Sequence, residues 1–101
     1  MGETDYRDWL DLDAEVGVRF LTHRSEVTYY VVVLLAVDRG ELWAVRVYDN
    51  AHERHDMHRY NREGVKQAAE TFHQGSAAEA LLSAIEAVRN GYREMIDSWR
   101  R

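Results

Sequence analysis

Three of the five histidines in this chain fall within seven residues, at His52, His55 and His58. Charged residues, among them Arg54 and Arg59, are interleaved with them. Imidazole has an unperturbed pKa close to neutrality, so it can give or take a proton, and it is also a common metal ligand. The segment therefore offers candidates for both acid–base chemistry and metal binding.

A metal site is the first interpretation, with His52, His55 and His58 as candidate ligands of a divalent cation and neighbouring carboxylates completing the shell. Successive intervals of three residues match no zinc signature. On a strand these side chains would alternate between faces, so a loop would have to gather them. The sequence does not decide whether the protein binds such a metal or has no cofactor.

Metal-independent RNA cleavage is the second interpretation. It requires a base, an acid and a cation that stabilises the phosphate. The same three histidines are the proton-transfer candidates, and Arg59 completes the catalytic set. Arg54, Arg59 and Arg62 could hold the phosphate, while Tyr60 could stack on a base.

A recognition loop without catalysis is the third interpretation, and an ordinary surface turn is the fourth. Asx residues after a strand bond their own backbone in turns, and interleaved histidines, acids and arginines pair with one another in solvent. For a recognition loop the candidate binding residues are Tyr48, Asp49, Asn50, Arg54 and Tyr60.

The secondary-structure elements that must position this segment are predicted to form one α+β domain. Apolar and β-branched runs predict an antiparallel meander of about three to five strands, packed against one long C-terminal amphipathic helix. Ser76 and Glu79 form a capping-box pattern before that helix, and Arg93 and Asp97 are spaced for an ion pair on its surface. The predicted divisions are an N-terminal arm at 1–13, a sheet at 14–67 and a helix at 77–100.

The strand predicted at 41–49 follows the Asp38-Arg39-Gly40 turn. Strict alternation places Trp43, Val45 and Val47 on one face, and it places Leu42, Ala44, Arg46 and Tyr48 on the other.

Composition narrows the classes of function. The net charge is −5, so the chain as a whole does not attract nucleic acid. Cysteine is absent, which excludes disulfides and thiolate ligands. The N-terminal residues lack the pattern of a signal peptide, and no apolar run is long enough to span a bilayer. We expect a cytoplasmic protein that does not enter the membrane.

The strand predicted at 27–37 is apolar on both faces, whereas a single helix covers only one face of a sheet. The second face needs another cover. The N-terminal arm, which carries Trp9, is one candidate. A second copy of the chain is the other, and it predicts a homodimer.

The order Tyr48-Asp49-Asn50-Ala51-His52, then His55 and His58, then Phe72 and a helix from Ala77, resembles the TumE-like family of small prokaryotic proteins. Members are identified as toxin components of toxin–antitoxin pairs. Related prokaryotic families also share a Tyr-Asp-Asn-Ala-His stretch. The resemblance implies a bacterial or archaeal origin, a cognate antitoxin as partner and a nucleic-acid target, and it supplies no mechanism.

Two hypotheses follow. The chain is a prokaryotic protein of undefined activity, with the 52–58 segment as the working surface of a toxin–antitoxin component. Alternatively, it is a non-catalytic interaction or structural module that homodimerises through its sheet.

Overall fold

The chain folds into one six-stranded antiparallel sheet followed by a single helix, and the computed structural model describes residues 1–101. The strands pair in sequence order, which confirms the α+β meander with its C-terminal helix. The prediction of three to five strands was too low, because segments at both ends of the meander also pair. The elements are β1 (Gly2–Asp11), β2 (Ala14–His23), β3 (Glu26–Asp38), β4 (Glu41–Asp49), β5 (His55–Arg59), β6 (Glu70–His73) and α1 (Ala77–Arg100).

The acidic N-terminal segment forms the edge strand β1, which pairs along nearly its whole length with β2. Its carboxylates, and those of the turn that follows, reach the helix. Asp8 lies 2.6 Å from Arg89, and Asp13 lies 2.7 Å from Arg93. These contacts tie the two ends of the chain together.

The core lies between α1 and one face of the sheet. Tyr30 and Leu34 of β3 are fully buried there, as are Ala80 and Ala84 of the helix. Alanine at two positions four residues apart allows the helix to approach the strands closely. We call the opposite face of the sheet, which no helix covers, the outer face.

The start of α1 confirms the predicted capping box. The Ser76 hydroxyl accepts a hydrogen bond from the backbone N–H of Glu79, and the Glu79 carboxylate accepts one from the backbone N–H of Ser76. This second bond lowers the pKa of Glu79. No helix in the structure combines the length and apolar character that crossing a membrane requires.

A β-bulge in β4 changes the faces predicted for that strand. Leu34 pairs with Arg46 but Leu35 pairs with Ala44, so Val45 is an extra residue. Trp43 therefore lies on the same face as Arg46, and the alternation predicted across this strand was wrong. Both side chains are directed to the face that α1 covers.

Candidate functional site

The His-rich segment does not assemble into one site. His52 is exposed in the turn between β4 and β5, whereas His55 and His58 belong to β5 itself. Their spacing of three puts these two side chains on opposite faces of the strand. No group of three or more His, Cys, Asp or Glu side chains is arranged to hold a metal ion.

His55 is fully engaged within the protein. Its Nε2 lies 2.9 Å from the carbonyl oxygen of Gly75, which only accepts, so Nε2 carries the proton. Its Nδ1 lies 2.9 Å from the Tyr30 hydroxyl and accepts from it in the neutral ring. Burial raises the pKa of Tyr30 and keeps that hydroxyl a donor. His55 thus fastens the start of α1 to the centre of the sheet.

His58 is buried with one ring nitrogen engaged. Its Nδ1 lies 3.0 Å from the carbonyl oxygen of Gln67 and donates to it. Its Nε2 has no partner in the protein. Asp56, two residues earlier on the same face, is also buried, and its nearest cation is Arg54 at 3.6 Å. Arg54 itself is largely exposed.

The Tyr-Asp-Asn stretch has a structural explanation. Tyr48 is buried with its ring 5.0 Å from that of Phe72, edge to face. Asp49 accepts from the backbone N–H of Ala51, as in an Asx turn. Asn50 bonds the backbone of β3 through both ends of its amide, at Tyr30 N and Thr28 O. These residues end β4 and fix the turn.

Arg59 and Tyr60, also predicted from sequence, do lie at a cavity. It has a volume of about 580 Å³ and lies between the middle of β4, the segment after β5 and the C-terminal end of α1. The bulged residue Val45 accepts a hydrogen bond from the backbone N–H of Tyr60, which directs the chain into this wall. We call the cavity the arginine cleft. Its lining residues are Val45, Arg46, Arg59, Tyr60, Asn61, Arg62, Glu63, Gln67, Met95, Ser98, Trp99, Arg100 and Arg101.

Five arginines and one glutamate line the arginine cleft, in a chain whose net charge is −5. Most of these arginines have carboxylate partners outside the lining set. Arg62 lies 2.9 Å from Asp38 and lowers the pKa of that carboxyl, and Arg100 lies 3.1 Å from Asp13. Arg59 is paired with Glu70.

Arg46 differs from these arginines because its side chain forms no ion pair or hydrogen bond, although it is half-buried. Its Nε is fully buried and has no acceptor in the protein. The same holds for Nε of Arg62 and Nε1 of Trp99, which share the cleft wall. Buried N–H groups are nearly always satisfied, so three in one wall are unusual. A second group of buried polar atoms without partners, on Asp56 and His58, lies on β5.

Sequence reasoning missed Arg46 and Trp99. They come from β4 and α1, more than fifty positions apart in the chain, and only the fold brings them together. One signal was present in the sequence: Arg46 interrupts a strand of apolar residues on the side that faces the core. Arg62, a candidate phosphate ligand from the sequence, does line the cleft.

Comparison with curated proteins and with solved structures gave no match. A family model described as a domain of unknown function, DUF7718, matches residues 1–101. This agrees with the prediction of a family of undefined activity, and no match supports the TumE-like resemblance. The chain therefore belongs to the DUF7718 family.

Proposed function

We propose that this protein binds a small ligand bearing a phosphate group in the arginine cleft. The observation that carries the proposal is Arg46, a half-buried guanidinium that faces the cavity without a carboxylate partner. A cation taken out of water is costly unless it is paired. An anionic ligand would supply the missing charge.

Phosphate fits the chemistry of the wall better than a neutral ligand does. Guanidinium groups present planar forks of N–H donors that match the oxygens of phosphate. A phosphate oxygen accepts hydrogen bonds and donates none once ionised, which suits a wall lined by guanidinium groups. Tyr60 adds an aromatic surface for the remainder of the ligand.

The C-terminal end of α1 opposes an anion, because its carbonyls carry about half a negative charge. Two features offset this effect. Arg62 donates to the carbonyl oxygen of Arg100 at 3.4 Å, and the side chains of Arg100 and Arg101 lie at the same end. Arg62 and Arg100 are themselves paired with Asp38 and Asp13, so Arg46 is the main cation left to offset the partial charges of the helix end.

Binding rather than catalysis is the activity that these residues support. The lining set contains no histidine, cysteine or lysine, and Glu63 is its only carboxylate. Proton transfer near neutral pH requires a group that titrates there and lies close to the ligand. The histidines of the 52–58 segment lie elsewhere.

The test is isothermal titration of the protein with pyrophosphate at low ionic strength. Arg46→Gln keeps much of the side-chain length and removes the charge, so we expect pyrophosphate affinity to fall about ten- to hundredfold. Arg24→Gln is the matched control. It removes the same charge, but Arg24 is exposed in the turn between β2 and β3. Absence of binding to the wild type, or equal losses in both variants, would contradict the proposal.

A toxin–antitoxin component is the second candidate function. It is favoured by Arg59, Tyr60 and Arg62, which the sequence offered as phosphate and base contacts and which line one cleft. Induction of the gene alone in a bacterial host should then arrest growth, and Arg46→Gln should relieve the arrest while Arg24→Gln does not. Normal growth with the wild type would remove this candidate and its cognate antitoxin.

A further inference from the structure

The outer face of the sheet is apolar at its centre. Val31, Val33 and Leu35 of β3 lie there, and Val33 pairs with Val47 of β4. All four are partly exposed rather than buried. The N-terminal segment, which the sequence offered as a cover, forms β1 in the plane of the sheet and does not lie over this face.

A hollow of about 360 Å³ lies on this face above Gly17. Its floor is formed by Val31, Val33 and Leu35, and its wall includes Arg7 and Asp5. The hollow depends on the absence of a side chain at Gly17, where an added Cβ would lie 3.0 Å from Cγ1 of Val33. Glycine inside a strand is typical of places where another group approaches closely, and here Val33 of the neighbouring strand makes that approach beside the hollow.

A projecting aromatic residue stands beside the hollow. Trp9 of β1 is 61% exposed, although tryptophan is highly buried on average. Trp9 pairs with Glu15, and Arg7 pairs with Gly17, so Trp9 lies two residues along the strand from the hollow. That separation is about 7 Å.

The positions of projection and hollow allow a two-fold contact. In an isologous interface, residue i of one copy contacts residue j of the other and the reverse also holds. A two-fold axis passing between Trp9 and Gly17 would place each tryptophan over the other copy's hollow. The dimer would then contain two equivalent contacts, in each of which the tryptophan of one copy fills the hollow of the other.

The charges around the apolar centre suit a second copy of the same chain. Arg7 is paired with Glu15, and Arg19 lies 2.6 Å from Glu3, so both signs are present on one surface. A surface on which both signs are present and paired does not repel its own copy, whereas a surface of one sign would. The free edge of β1 is rich in charged side chains, which disfavours edge-to-edge pairing.

From this geometry we propose that the outer face is a homodimer interface in which Trp9 of each protomer enters the hollow over Gly17 of its partner. The two sheets then pack face to face, and the apolar centre of β3 is buried between them. This inference is independent of the arginine cleft, which lies on the side of the sheet that α1 covers.

The experiment is sedimentation velocity of the full chain over a wide range of concentrations. The wild type should sediment as a dimer, and Trp9→Ser should raise the dissociation constant about 100-fold, because the symmetry uses the residue twice. Leu82→Ser is the matched control, since Leu82 is 63% exposed on the outside of α1 and its loss should leave the dimer intact.

A monomeric wild type would overturn the proposal, and the outer face would then be a candidate surface for binding a different protein. A dimer that persists in Trp9→Ser would also overturn it, because the interface would lie elsewhere. Trp9 is largely exposed, so its replacement should not prevent folding, and circular dichroism of the variant checks this.

Discussion

His55 of the His-rich segment and Arg46 of the arginine cleft contrast in how their polar atoms are satisfied, although Asp56 and His58 also keep buried atoms without a partner. In the segment, His55 has a partner in the protein at each ring nitrogen. In the cleft, Arg46 has no partner at all. The hydrogen bonds of His55 serve the structure of the protein, whereas Arg46 is left without a counter-charge. The density of histidines in the sequence therefore does not by itself indicate an assembled site.

The largest expected effect separates two histidines of one sequence cluster. His55→Ala removes two hydrogen bonds and leaves the buried Tyr30 hydroxyl without its acceptor, so we expect the free energy of unfolding to fall by about 3 kcal/mol. Urea denaturation followed by circular dichroism measures this. Pyrophosphate affinity of the folded variant should be unchanged, and a stability like that of the wild type would contradict the structural role.

The opposite sign is expected for Arg46→Leu. This change removes a half-buried unpaired cation, so we expect the free energy of unfolding to rise by about 1 kcal/mol in the absence of ligand. It should also abolish the increase in Tm that pyrophosphate gives the wild type. A variant that is less stable, yet still stabilised by pyrophosphate, would show that Arg46 serves packing and not binding.

The arginines that have carboxylate partners predict a dependence on acid. A hydrogen bond from Arg93, with a further one from Arg100, lowers the pKa of Asp13 from 3.8 to about 2. Because the folded pKa is depressed, this stabilisation is present above pH 4 and is lost as the pH falls towards 2. Arg93→Gln should flatten the stability profile in that window, measured by urea denaturation at each pH. An unchanged slope would contradict the role of this ion pair.

The smallest effect is expected for His52→Ala. His52 is exposed in the turn and has no hydrogen-bond partner, so stability should change by less than about 0.5 kcal/mol. Affinity for pyrophosphate should also be unchanged. A large loss of stability or affinity would show that His52 has a role in the protein. The His-rich segment would then again be a candidate functional surface beside the arginine cleft.

Much of the fold was accessible from local patterns. The apolar strands and the capping box at Ser76 are short-range signals, and the structure confirms both. The turn predicted at Asp38-Arg39-Gly40 is shorter, because Asp38 still pairs with Glu41 and only Arg39 and Gly40 form the turn. The bulge at Val45 was not accessible, since one extra residue leaves no mark in an alternating strand. Arg93 illustrates a second limit: the sequence offered Asp97 as its partner, whereas the fold supplies Asp13 from the first hairpin.

The candidate site was harder to predict because its parts are distant in the chain. Arg59, Tyr60 and Arg62 were found as neighbours in sequence, but Arg46 and Trp99 join them only through the packing of α1 on the sheet. Whether a charged side chain has a partner is likewise a property of the fold. The density of histidines, by contrast, was visible in the sequence and pointed to residues that the structure holds apart.

The most direct test of the account is an amide and indole NMR spectrum recorded during titration with pyrophosphate. The chain has three tryptophans, so three indole N–H signals are expected. A ligand in the arginine cleft should move the Trp99 signal as its concentration rises, while the signals of Trp9 and Trp43 should stay in place. Movement confined to the 52–58 segment, or no movement at all, would contradict a ligand site in the arginine cleft.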